Sequence, residues 1–297
     1  MDINYELYKV FYHVASTLSF SEASKQLFIS QSAVSQSIKV LEKKLNQPLF
    51  IRSTKKVQLT PEGEILLRHI EPAMNLIKRG EMQILETGSL GGGQLRIGAS
   101  DTICRYFLVP YLSRFHKEYP NIHIKVTNQT SIGCVDLLES GTVDLIFTNY
   151  PNSRLGHGCH IQFIKDFHDC FVASRKYYGE LEHQTLSLKE LLTYPILMLN
   201  RNSTTSEFLH SLFQQQQLDL VPEIELSSND LLIDLATIGL GIAFVPDFCV
   251  QHNAGDLFQI PLKTELPVRQ LAIIHNEQMP VSNAARQFMS YFEKPQS

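Results

Sequence analysis

Over residues 5–18 the apolar side chains Leu7, Val10, Phe11, Val14 and Leu18 fall three and four apart, the stripe of an amphipathic helix. Ser19-Phe20-Ser21-Glu22 then has the spacing of a capping box, opening a short helix over about residues 21–27 with Ala23 and Leu27 inward. Phe28-Ile29 make a tight turn, and Ser30 is placed to cap a third helix. There Val34, Ile38, Leu41 and Leu45 share one face. Residues 48–52 and 57–59 read as two short strands around a basic tip, Ser53-Thr54-Lys55-Lys56. Thr60-Pro61 supplies a cap and a first-turn proline for a longer helix, which reaches about residue 86. Its apolar positions Leu66, Ile70, Ala73, Ile77 and Ile84 form a seam, and Pro72 inside it predicts a kink.

The rhythm changes after residues 88–93, Gly-Ser-Leu-Gly-Gly-Gly, which have the composition of a flexible linker. No Gly-Lys-Ser/Thr follows, so this is not a phosphate loop. Strand and helix signals then alternate: strands at 95–99, 122–126 and 143–147, helices at 107–119 and 134–139. A second series runs over about residues 164–260 through apolar runs at 171–173, 195–198 and 241–246. A strand at 270–274 and a helix at 284–292 close the chain. Such alternation predicts doubly wound α/β sheets.

The polar side of the third helix carries Gln31, Ser32, Ser35, Gln36, Lys39 and Lys43 beside the cap Ser30. Serine and glutamine both donate to and accept from base edges, while lysine neutralises phosphate. A short helix, a turn and a longer helix is the helix-turn-helix plan, with the longer one in the major groove. Arg52, Lys55 and Lys56 on the hairpin form a basic wing suited to flanking phosphates or the minor groove. A polar helix face alone is more often simply solvated. Charge shifts that balance: residues 1–60 hold eight Lys/Arg against four Asp/Glu, so a chain of net charge −4 divides into a basic head and an acidic remainder.

The run SFSEASKQLFISQSAVSQSIKVLEKKLNQPLFIRSTKKVQLTPEGE resembles the N-terminal domain of the LysR-type bacterial transcriptional regulators, and the resemblance extends over the whole chain. It implies a winged helix-turn-helix, a long linker helix and two α/β subdomains of periplasmic-binding-protein type. The expected divisions are residues 1–60 for DNA binding and 61–90 for the linker, dimerisation helix and hinge. Residues 91–165 with 266–297 form one effector subdomain, and 166–265 the other. The seam of the long helix would pair two copies, packing against its own domain being the alternative. The resemblance favours a homodimer or homotetramer on an inverted-repeat operator in double-stranded DNA, with RNA polymerase at the promoter as a further partner.

Ligands of such sheets sit beyond strand carboxyl ends, near helix N-termini. The polar residues predicted there are Ser100, Asp101 and Thr102; Thr130 and Ser131; Thr148 and Asn149; Asn200, Arg201, Ser203 and Thr204; and Ser228 with Asn229. By resemblance, Ser100, Thr102, Thr130, Thr148, Ser203 and Thr204 match positions where family members hold their inducer. The plain alternative is that each hydroxyl caps its own helix. The cluster suits a small anion with Arg201 as charge partner, while Asp101 leaves room for an amine-bearing, zwitterionic ligand.

Other readings are weaker. His157, Cys159 and His160 with His168 and Cys170 suggest a metal- or redox-sensing regulator, although their spacing matches no common zinc pattern. No nucleophile elbow, HExxH or dinucleotide fingerprint points to an enzyme, and no cofactor is expected. A transport solute-binding protein would not need the basic head. Five cysteines without a CxxC and no early apolar segment predict a cytoplasmic protein. Without a long apolar run, no membrane partner is expected.

Overall fold

The computed structural model describes residues 3–52, 56–87, 93–250 and 255–293, with the side chains of Arg52, Gln83 and residues 85–87 left aside. Lys55, in the basic tip, and most of the glycine-rich linker lie outside the described residues. The chain divides into two compact units, residues 1–88 with 139–142, and the remainder.

The first unit begins with α1 (Tyr5–Thr17), α2 (Phe20–Leu27) and α3 (Gln31–Leu45). Strands β1 (Phe50–Arg52) and β2 (Val57–Leu59) pair antiparallel as the hairpin. The helical stripes meet in one core around Phe11, Val14, Ala23, Val34, Ile38 and Leu41, closed by Leu49 and Phe50. Ser19 caps α2 as expected, accepting from the Glu22 N–H at 3.2 Å. The reciprocal half of the capping box is absent. Thr17 Oγ1 holds the Ser19 N–H, and Glu22 turns to Lys25 instead.

The hairpin is tied back at two points. Glu42 of α3 accepts from the Leu49 and Phe50 N–H groups. Thr60 Oγ1 donates to the Pro48 carbonyl and accepts from the Gly63 N–H, capping α4 (Pro61–Thr87). Gly63 is required by close approach, since a Cβ there would lie 2.3 Å from the Leu49 carbonyl oxygen. The helix α4 runs continuously through Pro72. Its Leu66 and Ile70 pack on the head core, whereas Ile77 is 57% exposed and Ile84 75%.

The second unit holds two five-stranded sheets. The first comprises β3 (Gly93–Ala99), β4 (Ile122–Asn128), β5 (Leu145–Tyr150), β6 (Cys159–Phe167) and, from the far end of the chain, β12 (Arg269–Asn276). Its order is β4-β3-β5-β12-β6, parallel among β4, β3 and β5 and antiparallel at β12. The second comprises β7 (Asp169–Ser174), β8 (Ile196–Leu199), β9 (Ile224–Leu226), β10 (Ile242–Pro246) and β11 (Leu257–Gln259), ordered β11-β7-β10-β8-β9.

Helices α5 (Asp101–Ile103), α6 (Val109–Glu118), α7 (Ser131–Glu139) and α12 (Asn283–Met289) accompany the first sheet in sequence, and α8 (Arg175–Tyr178), α9 (Leu188–Leu191), α10 (Thr204–Gln215) and α11 (Asn229–Thr237) the second. The helix expected from residue 107 starts six residues earlier. Ser100 caps it at Asp101, and a π-helical stretch, Cys104–Leu108, joins α5 to α6. The chain crosses between sheets at His168 and again before Arg269, so the second sheet is inserted within the first.

Candidate DNA-facing surface and ligand cleft

On α3 the apolar stripe faces the core, with Val34, Ile38 and Leu41 all at 0% exposure and Leu45 half-buried. What remains outward is the polar face. Ser30, Gln31, Ser32, Gln36, Lys39 and Lys43 are exposed and Ser35 is half-buried. Ser30 Oγ accepts from the Ala33 N–H and lies 2.8 Å from Ser32 Oγ, so the first turn is held by its own hydroxyls. Short side chains there leave the backbone approachable, and the cations Lys39 and Lys43 sit about two and three turns further along. Lys56 is exposed at the start of the second wing strand.

In the second unit, the carboxyl ends of β3, β4, β8 and β9 each lead to a helix start, and those starts surround a cleft of about 210 Å³. At ~30 Å³ per water this is room for about seven waters, a metabolite-sized space. Ser100, Asp101, Thr102, Thr130 and Ser131 line it from the first sheet's side, with Asn149 at the end of β5. Ser203, Thr204, Ser228 and Asn229 line it from the second, with Asn200.

Four hydroxyls do cap their own helices. Ser100 Oγ accepts from Ile103, Thr130 Oγ1 from Gly133, Ser203 Oγ from Ser206 and Ser228 Oγ from Leu231. Capping and ligand binding are compatible, because each oxygen accepts from its helix and keeps its own hydrogen to donate. Helix N-termini with hydroxyl donors favour an anion.

Two expected residues are elsewhere. Thr148 is at 0% exposure inside β5, where its hydroxyl accepts from Asn152 Nδ2 and faces the Ser131 and Asn149 carbonyls. Strand alternation turns it away from the cleft that its neighbour Asn149 reaches. Arg201 is exposed in the turn after β8 and is not on the lining, as a guanidinium without a fixed partner stays hydrated. The anticipated charge partner is therefore not there.

Sequence reasoning passed over Asn128, Gln129, Thr205 and Ser227, which also line the cleft. Each adjoins a predicted strand end or a named residue, so position alone could have found them. It also missed the contacts between the two sheets' elements. Asn229 Nδ2 donates to Thr102 Oγ1 at 2.9 Å, Tyr106 donates its hydroxyl to Asp230, and Arg105 lies 3.4 Å from the same carboxylate. Ser153 bonds Glu207 at 2.9 Å. Beside the crossings, Arg269 Nη1 donates to Asp169 Oδ2 at 2.8 Å and to Thr205 Oγ1 at 3.2 Å. No periodicity marks these, since they join residues more than fifty positions apart.

The histidines and cysteines do not converge. Cys159 begins β6 in the first sheet and Cys170 lies in β7 of the second. Among the described residues, no three His, Cys, Asp or Glu side chains are placed to hold a metal ion. Burial pushes the Cys104 thiol up to about 11 and Cys134 up to about 12, and raises Cys170 and Cys249 further. The thiolate is the reactive form, so these four are poor redox centres.

A family profile described as the LysR substrate binding domain matches residues 88–295. A second, for bacterial regulatory helix-turn-helix proteins of the lysR family, matches residues 5–64. The chain is similar to the HTH-type transcriptional activator CmpR of Synechocystis sp., 26% identical over 286 residues, covering 96% of this chain and 93% of that one. It is also similar to the HTH-type transcriptional regulator CrgA of Neisseria meningitidis, 28% identical over 270 residues, covering 89% and 87%. Among solved structures, full-length OxyR from Pseudomonas aeruginosa superposes with a TM-score of 0.74 at 18% identity, covering 99% of this chain and 100% of that one. Full-length CbnR complexed with its target DNA gives 0.67 at 19% identity, covering 98% and 99%.

Proposed function

The chain belongs to the LysR family of bacterial helix-turn-helix regulators, and from that premise we propose a sequence-specific DNA-binding transcriptional regulator that answers to a small anionic or zwitterionic effector. The observation that carries the DNA half is the division of α3 into an apolar stripe packed on the core and an outward face of amides, hydroxyls and ammonium groups. Gln31, Ser32, Ser35 and Gln36 read base edges in the major groove, while Lys39, Lys43 and Lys56 neutralise phosphates. Arg52 and Lys55 belong to the same basic wing by position in the sequence.

The exposed apolar positions of α4, Ile77 and Ile84 among them, are covered by the same helix of a second copy. Two heads so joined read an inverted repeat, and RNA polymerase at the promoter is the downstream partner. Residues 1–60 bind DNA, 61–90 link and dimerise, and 91–165 with 266–297 and 166–265 form the two effector subdomains. No helix among the described residues is long and apolar enough to cross a membrane. The working compartment we assign is the cytoplasm.

The effector occupies the cleft between the two sheets. Capping hydroxyls take its anionic end, and Asp101, held by Asn128 at 3.3 Å, tolerates an ammonium. The test is Gln31→Ala against Lys39→Ala in a titration of operator and random duplexes. Gln31→Ala relaxes preference for the operator by about 1–3 kcal/mol for the lost base contact. Lys39→Ala weakens both duplexes alike and lowers the salt slope by about one. Unchanged binding to both duplexes by Gln31→Ala rejects the docking of α3.

A further inference from the structure

The cleft is shaped for an anion, yet none of its lining residues is Lys, Arg or His. One positive charge bonded to its wall is hidden. Arg269, the first residue of β12, is 1% exposed, and its guanidinium lies over the rings of Phe167 and Phe208 at 5.4 and 4.9 Å. Its Nη1 reaches both Asp169 and Thr205, and Thr205 stands in the first turn of α10 on the cleft lining.

We infer that Arg269 is the positioning residue that makes this cleft select a singly charged anion, such as a small monocarboxylate or the carboxylate of an amino acid, acting through Thr205. The inference rests on reading the cleft as the effector site.

A hydroxyl oxygen that accepts from a guanidinium becomes a stronger donor, because the two bonds polarise one another. Thr205 has one hydrogen, and its oxygen is already engaged by Arg269, so that hydrogen is the group it offers. The ion pair itself is unevenly satisfied. Asp169 takes one donor from Arg269, while Arg269 Nε and Nη2 and Asp169 Oδ1 have no hydrogen-bond partner among the described residues. A bidentate pair would hold the charge more closely. Here the pair is a dipole with its cationic end bonded to the cleft wall at Thr205.

At the α10 terminus this dipole adds to that of the helix, in a place shielded from water and salt. Asp101, on the lining, sets the upper limit on charge: it repels a second negative group and accepts an ammonium.

The full-length protein is titrated calorimetrically with short-chain monocarboxylates and amino acids, each beside its primary amide. The tightest carboxylate should bind at least about tenfold better than its amide. Thr205→Val, which keeps the shape and removes the hydroxyl, should cut carboxylate affinity about ten- to hundredfold and leave the amide unchanged, as expected for a lost hydrogen bond to a charged group. Arg269→Met combined with Asp169→Leu removes the pair without stranding either charge, and should bring the ratio near one in a protein that still unfolds cooperatively. Arg269→Lys should restore part of the preference.

A ratio that survives both Thr205→Val and the double variant overturns the role of Arg269 and leaves the cleft as an effector site. A neutral or cationic metabolite as the tightest ligand does the same. No binding by any member of the panel, widened to neutral and cationic metabolites, overturns the effector reading together with this one.

Discussion

Arg269→Met alone should be far more damaging than Arg269→Met made together with Asp169→Leu. Both side chains are at 0% exposure and 2.8 Å apart. At an effective dielectric of about 20, unit charges at that separation attract by about 6 kcal/mol. Desolvation of two ions costs several kcal/mol each, so the pair gains little over an apolar replacement. Removing one partner is different. The single variant leaves the Asp169 carboxylate buried without a cation, which costs about 3–5 kcal/mol, and it loses the contacts of the guanidinium with Phe167 and Phe208, about 0.5–2 kcal/mol. The double variant strands no charge, and shares with the single variant only the loss of the ring contacts and of the hydrogen bond to Thr205.

The assay is urea unfolding followed by circular dichroism, across pH. Burial already raises the Asp169 carboxyl, while Arg269 pulls it down. Without Arg269 the folded value lies well above the unfolded ~3.9. A raised folded value gives stability that is present below the unfolded pKa and lost as pH rises through the folded one. The single variant should therefore regain stability on acidification from neutral pH toward about 4, relative to the double variant. Equal destabilisation of the two variants, with the same pH profile, would refute this account of the pair.

Three further outcomes follow from local geometry. Thr60→Val removes the cap on the Gly63 N–H and the donor to the Pro48 carbonyl, at about 1–3 kcal/mol. Hydrogen exchange at Gly63 should accelerate about ten- to hundredfold, and unaltered exchange would show the cap to be idle. Cys104, its thiol pushed up to about 11, should carry roughly one thiolate in ten thousand at neutral pH. Maleimide should modify it slowly until urea is added, and rapid native labelling would reopen a redox role. Replacing Ile77 with Glu on the exposed seam of α4 should shift sedimentation toward monomer while leaving the head folded, since the side chain is 57% exposed. An unchanged sedimentation profile would place the oligomer interface elsewhere.

Much of the head was legible because its determinants are local. The stripe Val34, Ile38 and Leu41, the caps at Ser19, Ser30 and Thr60, and the first-turn Pro61 each act within a turn or two of chain, so spacing carries them. Even there the capping box was half wrong, because Thr17 competes for the same N–H. Strand ends and helix starts were also readable, which is why eleven of the proposed cleft residues lie on its lining.

Thr148 and Arg201 failed for different reasons: alternation along β5 decides which of two neighbours faces the cleft, and an exposed turn keeps its cation in water.

What the linear order of residues determined by itself is the set of amphipathic elements and the surfaces they must hide or show, since helix and strand periods are fixed by backbone geometry. What only the tertiary structure decided is the company those elements keep. The return of β12 to the first sheet brings Arg269 against Asp169 and Thr205, 100 and 64 positions away. Charge acts through space while sequence records only contour, so the cation bonded to the cleft wall has no local signature.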